Sequence, residues 1–175
     1  MGIISGATII TSLSLFHITI AFFFLTSPHT MADQTLVWLI GSAMGMPGDR
    51  SFETKSAPLA LLSAVLFVMG VSDLVAISLP EEISSHHWGS QAPVRLIVFF
   101  IICVYSHGFS DSSPLYTNST YTPSSWGEGL KNNVVFTWAF LEMLTWFWVF
   151  LTLREERREL ALRVQMKRAS EENRL

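Results

Sequence analysis

The chain has 175 residues, of which 50% are hydrophobic and 14% charged, whereas a soluble domain carries about 25% charged residues. That composition excludes an ordinary water-soluble domain and predicts a chain that lives in lipid. The net charge is −3, no nucleic-acid partner is expected, and the single cysteine, Cys103, excludes an internal disulfide.

The first apolar run, residues 3–26, is long enough to cross a bilayer core, which takes roughly 20 apolar residues, and His17 interrupts it. It lacks a basic leading segment, its apolar stretch exceeds that of a signal peptide, and Ser27-Pro28-His29 is a poor cleavage site. It therefore reads as a retained span, and it has none of the Arg-rich amphipathic character of a mitochondrial transit peptide. Within the loop 27–56, residues 32–46 hold Leu36, Val37, Trp38, Leu39 and Ile40 but are broken by Gly41, Gly45 and Pro47. This stretch predicts a short re-entrant or interfacial helix, too short to span. A fifth spanning helix here is the alternative.

The second run, 57–79, carries Asp73 and ends at Leu79-Pro80-Glu81-Glu82, where proline and two carboxylates mark the exit to water. Residues 80–93 read as a connector containing His86-His87, and Pro93 starts the third run, 94–110, where its missing N–H costs nothing. Arg95 and His107 lie at the ends of that run. A loop rich in Ser, Thr, Pro and Gly follows, with Asn118-Ser119-Thr120 as a possible glycosylation acceptor. The fourth run, 133–153, holds Glu142 among Trp138, Trp146 and Trp148. That Trp-rich character reads as lipid-facing and interfacial packing. In the tail 154–175, the pairs Glu155–Arg158 and Glu159–Arg163 have helical spacing and predict that the last helix continues into water. The expected fold is all-α: a four-helix transmembrane bundle over 1–153, followed by a cytosolic helical tail.

Charge sets the expected topology. Seven of the eleven Lys and Arg residues follow Leu153: Arg154, Arg157, Arg158, Arg163, Lys167, Arg168 and Arg174. Basic flanks favour the cytosolic side, so both termini are expected in the cytosol, with 27–56 and 111–132 in the lumen. The cytosolic side then holds Arg95 and the seven tail residues, against Arg50, Lys55 and Lys131 on the lumenal side. Five acidic residues dilute the tail, so a solvated helix or a protein-docking arm is expected rather than an anionic-lipid anchor.

A charged side chain at mid-membrane costs about 2.5–3.5 kcal/mol on insertion scales, so such residues have partners or a role. At about 1.5 Å rise per residue, His17 and Glu142 both fall near the midplane. Asp73 lies roughly 9 Å inside the tail-side end of its span, and Arg95 lies near the same boundary. Two pairs are therefore expected: Asp73 with Arg95, and His17 with Glu142 if the first and fourth spans touch. Each has a structural reading, as an ion pair or hydrogen bond inside the bundle. Each also has a functional one, as a proton path or a site for a cationic ligand. His86-His87 is not expected to hold a metal, because adjacent loop histidines diverge and no cysteine cluster supplies further ligands. Phosphate-cradling, nucleophile-elbow and zinc-protease motifs are absent from the sequence, and no cofactor is expected.

Several stretches carry a family resemblance. Ser12-Leu13-Ser14-Leu15-Phe16-His17-Ile18-Thr19, Gly45-Met46-Pro47, Arg50-Ser51-Phe52, Gly70-Val71-Ser72-Asp73-Leu74, His87-Trp88-Gly89-Ser90-Gln91-Ala92-Pro93 and Ser113-Pro114-Leu115-Tyr116 resemble the fungal "increased loss of mitochondrial DNA" protein family. The resemblance implies a small four-span protein of the endoplasmic reticulum, whose loss indirectly impairs mitochondrial genome maintenance. It brings no catalytic residues with it. The function expected is therefore that of a non-enzymatic accessory or scaffold subunit of a membrane assembly, with lipid supply as the link to mitochondria. Its partners would be membrane lipids and other membrane proteins or a second copy. Two alternatives stand beside it: a small ion, proton or lipid conductor using Glu142 and Asp73, and a membrane-embedded lipid-modifying enzyme using Glu142, His17 and Asp73.

Overall fold

A computed structural model describes residues 5–110 and 127–172 of the chain. Six α-helices run in the order α1 (Gly6–Thr26), α2 (Pro28–Ala32), α3 (Thr35–Ala43), α4 (Ala57–Ile77), α5 (Glu81–Gly108) and α6 (Asn133–Glu172). Short 3-10 turns sit at Arg50–Phe52 and Glu128–Leu130. Of these helices α1, α4, α5 and α6 are each long and apolar enough to cross a membrane, which agrees with the four expected spans. Their outer faces are apolar too: Val65, Val68, Ile97, Phe100 and Ile101 are all exposed, which suits lipid rather than water.

Local chemistry explains the helix ends. Ser5 Oγ caps α1 by accepting from Thr8 N, and Ser56 Oγ caps α4 by accepting from Leu59 N. Asn132 Oδ1 accepts from Val135 N at the start of α6. The long helices run alternately up and down, α1 packing mainly on α4 and α5 mainly on α6, with α1 also touching α6. The α1–α4 seam packs Ile20, Phe24, Leu59 and Leu66 together and places small residues at its closest approaches, as membrane helix interfaces commonly do. A Cβ on Gly70 would lie 2.7 Å from the Ser14 carbonyl oxygen, and Ser63 Oγ donates to the Ala21 carbonyl at 2.5 Å.

At the end away from the tail, α3 lies against the start of α6. A Cβ on Gly41 would meet Asn133 Cβ at 2.6 Å, and Asn133 N donates to the Pro47 carbonyl at 2.9 Å. With nine residues, α3 is only about 13 Å long and adds no fifth span.

Two expectations are corrected. Residues 81–93 are not a loop: α5 starts at Glu81, directly after Pro80, with Glu81 and Glu82 in its first turn where carboxylates favour the helix dipole. Pro93 therefore lies inside α5 rather than at its start. Tertiary contacts hold this early portion helical. Trp88 and Ala92 are buried in the main core cluster, and Arg157 of α6 donates to the Ser85 carbonyl at 2.5 Å. His86 and His87 consequently occupy adjacent helical positions rather than loop positions.

The second and third spans touch only sparingly, while each packs broadly against a different helix. The second correction concerns tryptophan: Trp146 is fully buried and Trp138 is partly buried, so of the three only Trp148 shows the outward exposure expected. The tail helix does continue, as one 40-residue helix with the fourth span. Its first turn is anchored, with Glu156 accepting from Gly6 N at 3.0 Å.

Candidate functional site

The four ionisable residues singled out within the spans come together in the two pairs that their depths predict. Asp73, 3% exposed on α4, receives both arms of the Arg95 guanidinium from α5, at 2.6 and 2.7 Å. Such a fork-to-fork contact is the strong form of a charge-assisted hydrogen bond. It bridges α4 and α5 where their packing is otherwise sparse. His17 on α1 and Glu142 on α6 are both fully buried, and His17 Nε2 pairs with Glu142 Oε1.

The two pairs are not separate. Trp146 lies one helical turn beyond Glu142, and its indole N–H donates to Glu142 Oε2 at 2.9 Å. The face of the same ring meets the Arg95 guanidinium, whose carbon sits 4.7 Å from the ring centroid. Trp88 stacks on Trp146 at 5.8 Å and 20°, and its own centroid is 5.4 Å from Arg95. A cation over an aromatic face in a dry environment is worth about 2 kcal/mol or more. One polar chain thus runs His17–Glu142–Trp146–Arg95–Asp73, touching all four long helices.

Sequence reasoning missed Trp88 and Trp146 as members of this chain. The available signal was the i, i+4 spacing of Glu142 and Trp146, which stacks their side chains on one face. Trp88 gave no comparable signal, because its stretch reads as a polar connector. Two buried atoms of the network have no hydrogen-bond partner among the described residues: His17 Nδ1 and Trp88 Nε1.

Of the other residues singled out, His107 ends α5 with its ring 5.9 Å from that of Phe136, away from the network. His87 packs edge-on against Trp88 at 5.0 Å. Asn118 lies outside the described residues. Chemically, the network holds α1, α4, α5 and α6 in register. Both oxygens of each intramembrane carboxylate are paired with protein side chains among the described residues, so neither carboxylate presents a free oxygen there.

Protein ILM1 of Saccharomyces cerevisiae is 28% identical over 144 residues, a stretch covering 82% of this chain and 62% of the yeast protein. The chain thus matches less than two thirds of that relative's length. No solved structure matches. The family model described as "Increased loss of mitochondrial DNA protein 1" matches residues 4–163, nearly the whole chain and all of the polar network. The chain belongs to the increased loss of mitochondrial DNA protein 1 family.

Proposed function

We propose that this protein is a non-catalytic accessory or scaffold subunit of an assembly in the endoplasmic reticulum membrane. Both termini face the cytosol, and the protein supports mitochondrial DNA maintenance indirectly, through lipid supply. One observation carries the non-catalytic part. Among the described residues, all four oxygens of the two carboxylates within the spans are paired with protein side chains, three of them accepting from Arg95 and Trp146 and the fourth paired with His17 Nε2, and both residues are buried. General acid–base work needs a group within reach of a substrate proton, whereas a closed network of this kind joins helices. The 40-residue α6 supports the scaffold part. At about 60 Å it is twice the roughly 30 Å thickness of a bilayer core, and its outer turns expose Leu160, Val164 and Met166. The excess of Lys and Arg after Leu153 supports the cytosolic placement of the tail.

Native mass spectrometry of the tagged full chain, extracted under lipid-retaining conditions, tests the reading. A stoichiometric larger membrane protein is expected. A protein recovered alone across mild extraction conditions overturns the scaffold role.

A second reading has one observation in its favour. The buried His17–Glu142 pair leaves His17 Nδ1 without a hydrogen-bond partner among the described residues, an arrangement that suits one step of a proton path.

A further inference from the structure

A cavity of about 440 Å³ lies between α1, α4 and α6, towards the end of the molecule away from the tail. That size falls within the ~300–1,000 Å³ of small-molecule sites, which are mostly apolar with a few placed polar groups. Phe24, Leu62, Leu66 and Leu141 form its walls, and Val37 of α3 with Phe52 of the 3-10 turn helps to close one side. No Asp, Glu, Lys, Arg or His lines it among the described residues.

The polar features of the wall are specific. The Thr137 hydroxyl and the Trp138 indole N–H are both buried without a hydrogen-bond partner among the described residues, and Thr137 is only 2% exposed. Threonine in a helix commonly returns its hydroxyl to the carbonyl four residues back. Thr11, Thr19, Thr26, Thr145 and Thr152 all do so in this molecule. Thr137 does not, although it stands in the same helix as two of them. Buried polar groups in native proteins nearly always find a partner. Here a donor–acceptor hydroxyl and a donor N–H belong to adjacent residues of a mostly apolar wall, whose other polar side chain among the described residues, Gln34, donates to the Thr30 carbonyl.

We infer that this cavity binds one neutral membrane lipid, its hydrocarbon against the apolar walls and its hydroxyl or ester oxygen on Thr137 and Trp138. The uncharged lining selects against phosphate, carboxylate and ammonium headgroups, because an ion placed there would lack a counter-charge. Phe16 and Ile20 flank His17 in sequence, as Trp138 and Leu141 flank Glu142, and all four line the cavity. Its inner end therefore lies beside the His17–Glu142 pair. The inference rests on the lipid-supply part of the proposed function. It is read by ligand occupancy, whereas the scaffold part is read by partner capture, so the two fail separately.

The test uses the full chain in lipid nanodiscs, with photoactivatable diacylglycerol, cholesterol and phosphatidylcholine, and maps the cross-linked residues by mass spectrometry. At least one neutral probe is expected to label Leu62, Leu66 or Leu141 saturably and to be displaced by its unlabelled counterpart. Which neutral probe does so identifies the source of the ligand chemistry. Phosphatidylcholine is expected to label only outward residues such as Val68 and Phe100. Leu66→Trp, which fills the cavity, should abolish the saturable labelling. Leu62→Phe, at a partly buried wall position, is the milder variant should Leu66→Trp fail to give a monodisperse protein. Thr137→Val should weaken displacement roughly tenfold, as expected for one lost hydrogen bond in an apolar site. Labelling spread evenly over the lipid-facing surface, or unchanged in a folded cavity-filling variant, overturns the site. Equal labelling of the cavity by phosphatidylcholine overturns its selectivity for neutral lipid.

Discussion

Trp146 donates its indole N–H to Glu142 at 2.9 Å while offering the face of the same ring to Arg95. This one side chain joins a buried carboxylate–imidazole pair to a partly buried carboxylate–guanidinium pair. Neither pair alone would hold the four long helices, since His17–Glu142 ties α1 to α6 and Asp73–Arg95 ties α4 to α5. The tryptophan makes them one structure.

Trp146→Phe keeps an aromatic face for Arg95 and removes the N–H, leaving Glu142 Oε2 without its donor. An unsatisfied buried acceptor costs about 1–3 kcal/mol, with charged groups at the upper end. The melting temperature of the detergent-solubilised protein should fall accordingly, and Trp146→Leu, which also removes the ring face, should lower it further. A Trp146→Phe variant as stable as the parent would show that the bond contributes nothing.

Asp73 and Arg95 should behave as a coupled pair. Removing one partner of a buried ion pair costs about 3–5 kcal/mol, whereas replacing both by apolar residues of similar size is often neutral. Arg95→Met and Asp73→Leu should therefore each destabilise strongly, and the double variant should recover most of the loss. Additive losses in the double variant would mean that the two residues do not act on each other.

Much of this network is legible in the chain because helix depth can be counted. At about 1.5 Å per residue, His17 and Glu142 reach one level and Asp73 and Arg95 another, and polar groups in hydrocarbon seek each other at that level. What cannot be counted is direction. Within a membrane, hydropathy does not separate an aromatic side chain that faces lipid from one in the core, because both neighbourhoods are apolar. Trp146 and Trp148 differ by two residues, yet one is fully buried and the other 55% exposed. The early start of α5 is hidden for another reason. Its first turns are polar and lead into Pro93, so local preference indicates a loop, and only packing against α6 makes them a helix.

Close approach of α1 and α4 at Gly70 sets the position of His17, since a Cβ there would also come within 3.3 Å of His17 Cβ. The nearest obstacle is the Ser14 carbonyl oxygen at 2.7 Å, a backbone atom that cannot swing aside. Gly70→Ala should separate the helices and destabilise by about 1–3 kcal/mol, the usual cost of overpacking. Gly48→Ala, where an added Cβ would meet nothing within 4 Å, is the control and should leave thermal stability unchanged. Equal behaviour of the two variants would argue against a tight seam.

Glu142→Gln distinguishes a network that joins helices from one that moves protons. The amide keeps the shape and one acceptor oxygen but removes the negative charge. If the network is structural, the parent and the variant should show the same background proton flux in liposomes, and the variant should melt at a lower temperature. Flux above background in the parent that disappears in the variant would establish the conducting reading instead.

The junction between α5 and the tail makes a prediction about backbone exchange. Arg157 lies over Gly89 so closely that an added Cβ would fall 1.4 Å from its Nη2, and Arg157 donates to the Ser85 carbonyl. Glycine at 89 thus leaves room for the guanidinium, which joins the first turns of α5 to α6. Amides of residues 84–91 should therefore exchange slowly, as helical hydrogen bonds require. Arg157→Gln should speed that exchange roughly tenfold, the effect of losing one charge-assisted hydrogen bond. Gly89→Ala should act in the same way by displacing the guanidinium, although it leaves Arg157 in place and favours helix locally. Fast exchange across 84–91 in the parent protein would mean that these residues are a loop. Slow exchange indifferent to both substitutions would mean that Trp88 and Ala92 hold the segment without help from the tail.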